Sequence, residues 1–395
     1  MEFTVHNQVL LTVFITAIVM GAVVNKTNFC TMGAVSDWVN MGDTGRLRAW
    51  MLAIAVAMGG VLVLEVAGLI SLPTNGTFPP YRTGNFAWLR YLLGGVMFGI
   101  GMTLGSGCGN KTLIRIGGGN LKSLVVLAIA SGAAYLMLWT NFFNTVFMSW
   151  MGPTIIDLPA HGINSQELGA LLGGIGGMQD TSALHLIIGV AAVVALLVFI
   201  FKSSDFRENR DNVLAGLVVG AAVIIGWYVT GGSIGKAWME WADFADIRPS
   251  RIAVQSYTFI SPMGDSVRYL MEPGNFSLIN FGITALAGVI VGSFLWALIS
   301  RSFRIEWFVN GSDFWNHAVG GVLMGIGGVL SMGCTIGQGI TGVSTLALGS
   351  ILTLVAIVFG SALTMKVQFN MMDEQSFLQA MRSSLADMRL MPAIK

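Results

Sequence analysis

The chain contains three cysteines, and their surroundings give them the strongest chemical signal in the sequence. Cys30, Cys108 and Cys334 each lie in a glycine-rich or polar stretch that follows an apolar run. A thiol offers a soft, polarizable sulfur and a weak S–H donor. Cys108 and Cys334 each end a glycine-rich run, and a half-helix that began there would add free amides and a positive dipole end, which attract an anion. Cys30 lies in a predicted re-entrant turn. The residue types therefore suit the binding of a small, soft anion.

Residues beside the cysteines are candidates to complete such a site. They are Asn28, Gly107, Gly109, Asn110, Lys111, Gly333, Thr335 and Gln338. Among them, Lys111 carries a charge that could compensate the charge of an anion. A structural interpretation stays open, because free cysteine is often a small buried hydrophobe and the nearby glycines can serve helix contact alone.

Glu65 is an ionisable residue within an apolar run. Such a residue raises a functional hypothesis by default, although Glu65 can equally pair with a basic side chain. The three cysteines are odd in number and lack CxxC spacing, so the sequence indicates neither a disulfide framework nor a zinc site. We expect no metal ion, no cofactor and no enzymatic activity.

The elements that carry these residues are predicted to be membrane-spanning helices. Only 10% of the 395 residues are charged and mean hydropathy is +0.73, whereas an ordinary soluble domain has roughly 25% charged residues. The net charge of +1, without a basic run, gives no indication of nucleic acid. The fold class is an all-α polytopic membrane protein in a lipid bilayer. Nine runs are long enough to cross a core of about 30 Å, near 8–24, 47–70, 89–105, 121–150, 180–202, 212–230, 276–300, 316–332 and 346–365.

An internal repeat relates two of the cysteines. The segment from Gly94 to Cys108 aligns without gaps with the segment from Gly320 to Cys334, at an offset of 226, and nine of fifteen positions are identical. Four predicted spans precede the span at 180–202 and four follow it, so the second half would be inverted relative to the first. Inverted repeats are typical of transporters whose site lies where broken helices meet near the midplane.

The repeat predicts how the chain is organised. The same offset places Ser256 opposite Cys30, so that only the first half would carry a cysteine there. The predicted first half is 1–178, with re-entrant segments near 26–38 and 106–118 and an outer loop at 151–178. A linker helix and cytoplasmic loop at 179–211 lead to the second half at 212–370, which has re-entrant segments near 250–272 and 332–344. A cytoplasmic tail at 371–395 follows.

The distribution of Lys and Arg predicts an orientation. With nine spans and the N-terminus outside, the inner segments hold fifteen basic residues and the outer segments hold six. Because cytoplasmic loops carry the positive excess, we expect the N-terminus outside and the C-terminus in the cytoplasm.

The sequence resembles the YeeE/YedE sulfur-transport family, whose characterised members take thiosulfate into bacteria. The resemblance is carried by Asn28-Phe29-Cys30 followed by Asp37, by the two Gly-Gly-Val-x-x-Gly-Ile-Gly…Gly-Cys segments, and by Ser261-Pro262…Gly264-Asp265. It implies an inverted-repeat transporter of the bacterial inner membrane, in which the three cysteines pass the substrate along by S–H hydrogen bonds. It also implies a cytoplasmic sulfur-carrier or sulfurtransferase partner. Gly109-Asn110-Lys111 departs from the small residues expected after the second cysteine.

The sequence favours uptake of a small sulfur-containing anion, thiosulfate first. Two alternatives remain open at this point. The cargo could be another soft substrate, either a selenium or sulfur oxyanion or a soft metal ion such as Cu(I), which thiolates favour. The protein could also be a membrane thiol oxidoreductase, which would require two cysteines within disulfide range.

Overall fold

The computed structural model describes residues 4–74, 78–178, 180–373 and 376–391, and is helical throughout apart from one short strand pair. The last four residues of the predicted tail therefore lie outside the described part. Seventeen α-helices are described: α1 Val5–Thr27, α2 Thr31–Ser36, α3 Gly45–Val66, α4 Trp88–Leu104, α5 Gly109–Gly117, α6 Leu121–Trp139, α7 Ser149–Met151, α8 Leu168–Ile175, α9 Ser182–Phe201, α10 Ser204–Glu208, α11 Arg210–Gly231, α12 Ser233–Asp243, α13 Ile260–Met271, α14 Phe281–Ile299, α15 Gly311–Leu330, α16 Leu348–Met372 and α17 Phe377–Asp387.

Shorter elements connect the helices. The antiparallel strands β1 and β2 join the loop before α4 to the loop after α7, and lie at Asn85–Phe86 and Ile156–Asp157. Three π-helical turns lie at Asp37–Met41, Asn144–Met148 and Gly337–Gly342. Four 3₁₀ turns lie at Gly152–Thr154, Pro159–His161, Phe276–Leu278 and Val343–Thr345.

The chain is a multi-pass membrane protein. Within the described ranges, eight helical segments are long and apolar enough to cross a bilayer; the first runs from Val5 to Met41 and the third from Trp88 to Gly117. The ninth predicted span corresponds to α15, which has 20 residues but is less apolar because Asp313 and His317 lie in its first two turns. The fold class is confirmed, and eight rather than nine helices meet the criteria of length and apolarity.

The predicted span at 121–150 is too long. Helix α6 ends at Trp139, where Thr140 adopts an extended conformation and its hydroxyl accepts a hydrogen bond from the Phe142 amide. The residues that follow form a separate π-helical turn at Asn144–Met148. A hydroxyl that caps a new turn competes with continuation of the helix, and the uniform apolarity of this run concealed that break.

Glycine contacts hold α4 and α15 together in antiparallel orientation. A Cβ atom at Gly101 would lie 2.7 Å from the Met324 nitrogen and 2.8 Å from the Gly320 oxygen. A Cβ atom at Gly327 would lie 2.6 Å from the Phe98 nitrogen. All three distances are shorter than a Cβ atom tolerates, so the two backbones touch directly. Membrane helices use small residues in this way because lipid supplies no hydrophobic drive for association.

The contacts between α4 and α15 are reciprocal at the repeat offset of 226. Gly94 packs against Gly327 and Ser331, while Gly101 packs against Gly320. Residue pairs that exchange roles in this manner are what a two-fold axis between two elements produces. A second pair of contacts is related in the same way: α1 of the first half packs on α14 of the second, and α11 of the second half packs on α3 of the first. These contacts agree with the inverted repeat, which remains a prediction.

Both broken helices stop inside the thickness of the bundle. We call the end that holds the C-termini of α1 and α16 the basal end, and the opposite end the apical end. Gly105, just after α4, packs against Gly320, nine residues into α15, so α4 stops about 13 Å above the basal start of α15. Ser331, just after α15, packs beside Gly94, six residues into α4, so α15 stops about 9 Å below the apical start of α4.

We predict that Gly101→Ala and Gly327→Ala each lower the apparent melting temperature of the purified protein, and by similar amounts. An added methyl group would overpack the α4–α15 contact at a cost of about 1–3 kcal/mol. Gly132→Ala on α6 is the control, because no atom lies within 4 Å of its Cβ position and alanine favours helix. A Gly101→Ala protein as stable as the wild type would contradict the close contact.

Candidate functional site

Each of the three cysteines stands at the start of a short helical segment. Cys30 is the N-cap of α2 and its sulfur accepts a hydrogen bond from the Gly33 amide at 3.4 Å. Cys108 is the N-cap of α5. The Cys334 sulfur accepts a hydrogen bond from the Gly337 amide, also at 3.4 Å, where a turn leads into the π-helical turn Gly337–Gly342. The structure therefore shows the helical starts that were predicted at Cys108 and Cys334, and it shows a further one at Cys30, where the sequence indicated a re-entrant turn.

A left-handed residue stands two positions before each cysteine. Asn28 has φ 51°, Ser106 has φ 57° and Met332 has φ 62°. After α4 and α15, hydrogen bonds from Gly107 to Met102 and from Gly333 to Gly328 complete a Schellman motif, which ends a helix on a left-handed residue. Non-glycine residues rarely adopt this conformation. The same local device therefore turns the backbone ahead of all three thiols.

All three thiols lie inside the protein. Cys30 is 5% exposed, Cys108 2% and Cys334 0%, and all three are free. The side chains of Cys30 and Cys108 lie within hydrogen-bonding reach of each other. The Thr335 hydroxyl, on the residue after Cys334, lies beside the Cys108 thiol. Thr335 of the second repeat and Cys108 of the first are thus neighbours in the fold.

Cationic groups lie at the basal side of the Cys30–Cys108 pair. The Lys111 ammonium donates a hydrogen bond to Asn28 Oδ1 at 3.2 Å, and its charge acts on both thiols. Arg46 forms a two-pronged ion pair with the buried Asp37. The Arg46 guanidinium also packs over Gly33 in the first turn of α2, where a larger side chain would displace it.

The other residues predicted beside the cysteines take mainly packing and bracing positions. Gly109 packs against the side chains of Met263 and Ile260. Gln338 is 1% exposed and lies against Gly333, and its side chain binds the Ser331 carbonyl and the Ser350 hydroxyl. The Asn110 amide oxygen is buried and has no hydrogen bond within the described ranges.

Ser256, the predicted counterpart of Cys30, lies before the helix that begins in this part of the chain. Its hydroxyl donates to the Val223 carbonyl at 2.8 Å, in an extended segment. Helix α13 begins at Ile260, and its N-cap is Phe259. The offset of 226 therefore does not align the two helix starts, because the loop before α13 is longer.

Glu65 belongs to a buried ion cluster at the apical end. Its carboxylate accepts two hydrogen bonds from Arg82, at 2.5 and 3.0 Å, and one from His185 at 3.2 Å if that ring carries the proton there. Arg82 also donates to the Thr345 carbonyl at 3.1 Å, at the apical end of the Cys334 segment. Of the two interpretations left open by the sequence, pairing with a basic side chain is the one that the structure shows.

Glu167 extends the same cluster. It lies 2.9 Å from His185 and its two carboxylate oxygens accept the Gly169 and Ala170 amides as the N-cap of α8. Burial alone would raise the pKa of Glu167, but His185 and these two amides hold it below its usual value. Sequence reasoning missed Arg82, His185 and Glu167, since they are far apart in the chain and only the folded loops bring them together.

The comparisons with known proteins agree with these features. The family model described as sulphur transport matches residues 26–363, a range that includes all three cysteines. The chain belongs to the sulphur transport family. It is 28% identical over 330 residues to the thiosulfate transporter TsuA of Escherichia coli (strain K12), covering 81% of this chain and 84% of that protein. It is 24% identical over 358 residues to the thiosulfate transporter TsuA of Spirochaeta thermophila, covering 86% and 93%.

The described residues contain no candidate metal centre. Within the ranges that the structure describes, no group of three or more His, Cys, Asp or Glu residues is placed to hold an ion.

We predict that Glu65→Gln destabilises the protein by about 3–5 kcal/mol, because it leaves the Arg82 guanidinium buried without its counter-charge. The apparent melting temperature of the purified protein measures this effect. Asp243→Asn is the control, since the Asp243–Arg248 pair is 60% and 59% exposed and such pairs contribute little. Equal melting temperatures for Glu65→Gln and wild type would show that the cluster does not brace the fold.

Proposed function

We propose that this transporter carries thiosulfate into the cell along Cys334, Cys108 and Cys30. The observation that carries the proposal is the burial of three free thiols, each at a helix start, with Cys30 beside Cys108 and with Thr335, the residue after Cys334, also beside Cys108. The family membership and the names of the two relatives support thiosulfate as the substrate. Thiosulfate combines a soft terminal sulfur with charged oxygens, and the site combines soft sulfur with amide and cationic groups.

Along the proposed path, the thiols would replace the water molecules that hydrate the anion, each with a weak hydrogen bond. A buried anion loses its hydration and needs new donors. Because each S–H group is a weak donor, the anion would bind only weakly at each thiol and could leave it again. Selective conduction requires binding that is favourable enough for entry and weak enough for exit. Lys111 and Arg46 then supply positive charge at the basal end.

The topology assigned to this function is that of an inverted repeat. We propose halves at 1–178 and 212–370, a linker at 179–211, and α15 as a ninth span because it packs along the length of α4. The distribution of basic residues supports an outside N-terminus and a cytoplasmic C-terminus in the inner membrane. The basal end would then face the cytoplasm, where a sulfur-carrier or sulfurtransferase protein could receive the sulfur compound.

A second candidate function, thiol oxidation and reduction, is favoured only by the nearness of Cys30 and Cys108. The transport proposal requires no cycling disulfide. Thiol counting on the denatured protein should therefore give three free thiols before and after thiosulfate transport. Two fewer thiols after turnover would favour the oxidoreductase.

We predict that Cys108→Ala and Cys334→Ala each abolish uptake of ³⁵S-thiosulfate into proteoliposomes, and that Cys30→Ala strongly reduces it. Removal of one thiol takes away one S–H donor and the soft sulfur atom that would contact the terminal sulfur of thiosulfate. Gly132→Ala serves as the control for expression and folding. Undiminished uptake by Cys108→Ala or Cys334→Ala would overturn the path, whereas no uptake by the wild type would overturn the substrate.

We predict that Lys111→Met lowers the initial rate of thiosulfate uptake by about tenfold or more, because a hydrogen bond from a charged group contributes about 1.5–3 kcal/mol. Lys111→Arg should retain more activity than Lys111→Met. Lys202→Met is the control, since Lys202 is exposed just after α9. If the two methionine variants transport equally well, Lys111 is only a positively charged anchor.

A further inference from the structure

Two hydroxyl groups beside Cys334 are buried without a hydrogen-bond partner. The Thr335 side chain is 0% exposed, and its hydroxyl lies beside the Cys108 thiol but forms no well-aligned hydrogen bond within the described ranges. The Thr258 hydroxyl is buried against Gly337, and it too has no partner among the described residues. Buried polar groups in native proteins are almost always bonded, so each exception requires an explanation.

The hydroxyl groups of the residues around Thr258 do have hydrogen-bond partners. Thr230 exchanges hydrogen bonds with the Gln255 backbone at 2.6 and 2.9 Å. The Ser256 hydroxyl donates to the Val223 carbonyl at 2.8 Å, and the Tyr257 hydroxyl donates to the Val13 carbonyl at 3.0 Å. In this extended segment, Thr258 alone keeps an unused hydroxyl.

In the segment after Cys334, most hydroxyl groups likewise have hydrogen-bond partners. The hydroxyls of Thr341, Ser344 and Thr345 each donate to a carbonyl at 2.7 Å. The Thr341 acceptor is the Tyr257 carbonyl, so the two segments are bonded directly to each other. Only Thr335 in this segment retains an unpaired hydroxyl.

Both unpaired hydroxyls therefore belong to the surroundings of one thiol. Thr335 follows Cys334 in the chain, and Thr258 contacts Gly337, whose amide donates to the Cys334 sulfur. A ligand that placed a soft atom at this thiol would lie beside Gly337, which contacts the Thr258 hydroxyl, and beside Thr335, the next residue in the chain. Two unused O–H donors beside a sulfur suit a ligand that carries hydrogen-bond acceptors next to a soft atom.

We propose that Thr258 and Thr335 bind the oxygens of the transported oxyanion while its terminal sulfur lies at Cys334. The inference rests on the proposed function and adds the residues that select an oxyanion over a soft anion without oxygens. Retaining two unsatisfied hydroxyls in the substrate-free protein costs stability, a trade that binding sites commonly make.

The test compares substitutions that keep the side-chain shape in two assays. Thr335→Val and Thr258→Val should each lower the initial rate of ³⁵S-thiosulfate uptake, Thr335→Val by about tenfold, the loss expected for one ligand hydrogen bond. Thr335→Ser should keep most of the rate. Thr353→Val is the matched control, because that hydroxyl is also buried and unpaired but lies on α16 against α4.

The second assay does not depend on transport. Without substrate, Thr335→Val should melt at or above the wild-type temperature, because it removes an unsatisfied hydroxyl. Thr341→Val should melt below it, because the Tyr257 carbonyl loses its donor. Added thiosulfate should raise the melting temperature of the wild type more than that of Thr335→Val.

Three results would overturn the inference. They are unchanged uptake by Thr335→Val in a preparation whose wild type is active, a lower melting temperature of substrate-free Thr335→Val, and equal losses of uptake in Thr335→Val and Thr353→Val. A wild type without thiosulfate uptake would refute the proposed function instead, and the melting comparison would still decide whether the Thr335 hydroxyl is unpaired.

Discussion

The structure depends on how helix breaks are stabilised inside a membrane. Backbone amides at a helix start must find a partner, because lipid provides none. Here the breaks are buried in protein, and at Cys30 and Cys334 a thiol accepts the first-turn amide at 3.4 Å. Sulfur is a weak acceptor, so the amides and the thiol remain available to an anion. The cap that makes the break tolerable is thus also the group that we propose binds substrate.

Glycine packing makes this arrangement possible. Gly101 and Gly320, with Gly94 and Gly327, bring the backbones of α4 and α15 into direct contact, and each helix stops where the other continues. The breaks therefore lie inside the bundle, at different depths along the contact between the repeats. At the apical end, the pair of Glu65 and Arg82 fixes the Cys334 segment through the Thr345 carbonyl.

The sequence was sufficient for the helical membrane fold, the family and the helix starts at Cys108 and Cys334, because apolar runs and a repeated glycine motif are local signals. The fourth span was predicted to extend too far, to residue 150. Helix α6 ends at Trp139 because the Thr140 hydroxyl caps a new turn, although the residues that follow are also apolar. The sequence could not reveal the contacts of Arg82 with Glu65 or of Thr258 with Gly337, which join loops distant in the chain. The left-handed Ser106 and Met332 were equally hidden, since glycine is the usual signal for that conformation.

The most direct test of the cysteine path is the position of a bound substrate. Crystals or frozen grids of the protein with selenosulfate, in which selenium replaces the terminal sulfur of thiosulfate, would locate that atom by its scattering. The account predicts selenium in contact with the sulfur of Cys334 or Cys108, with the oxygens directed to Thr335. Selenium bound only at surface cations, away from all three thiols, would contradict it.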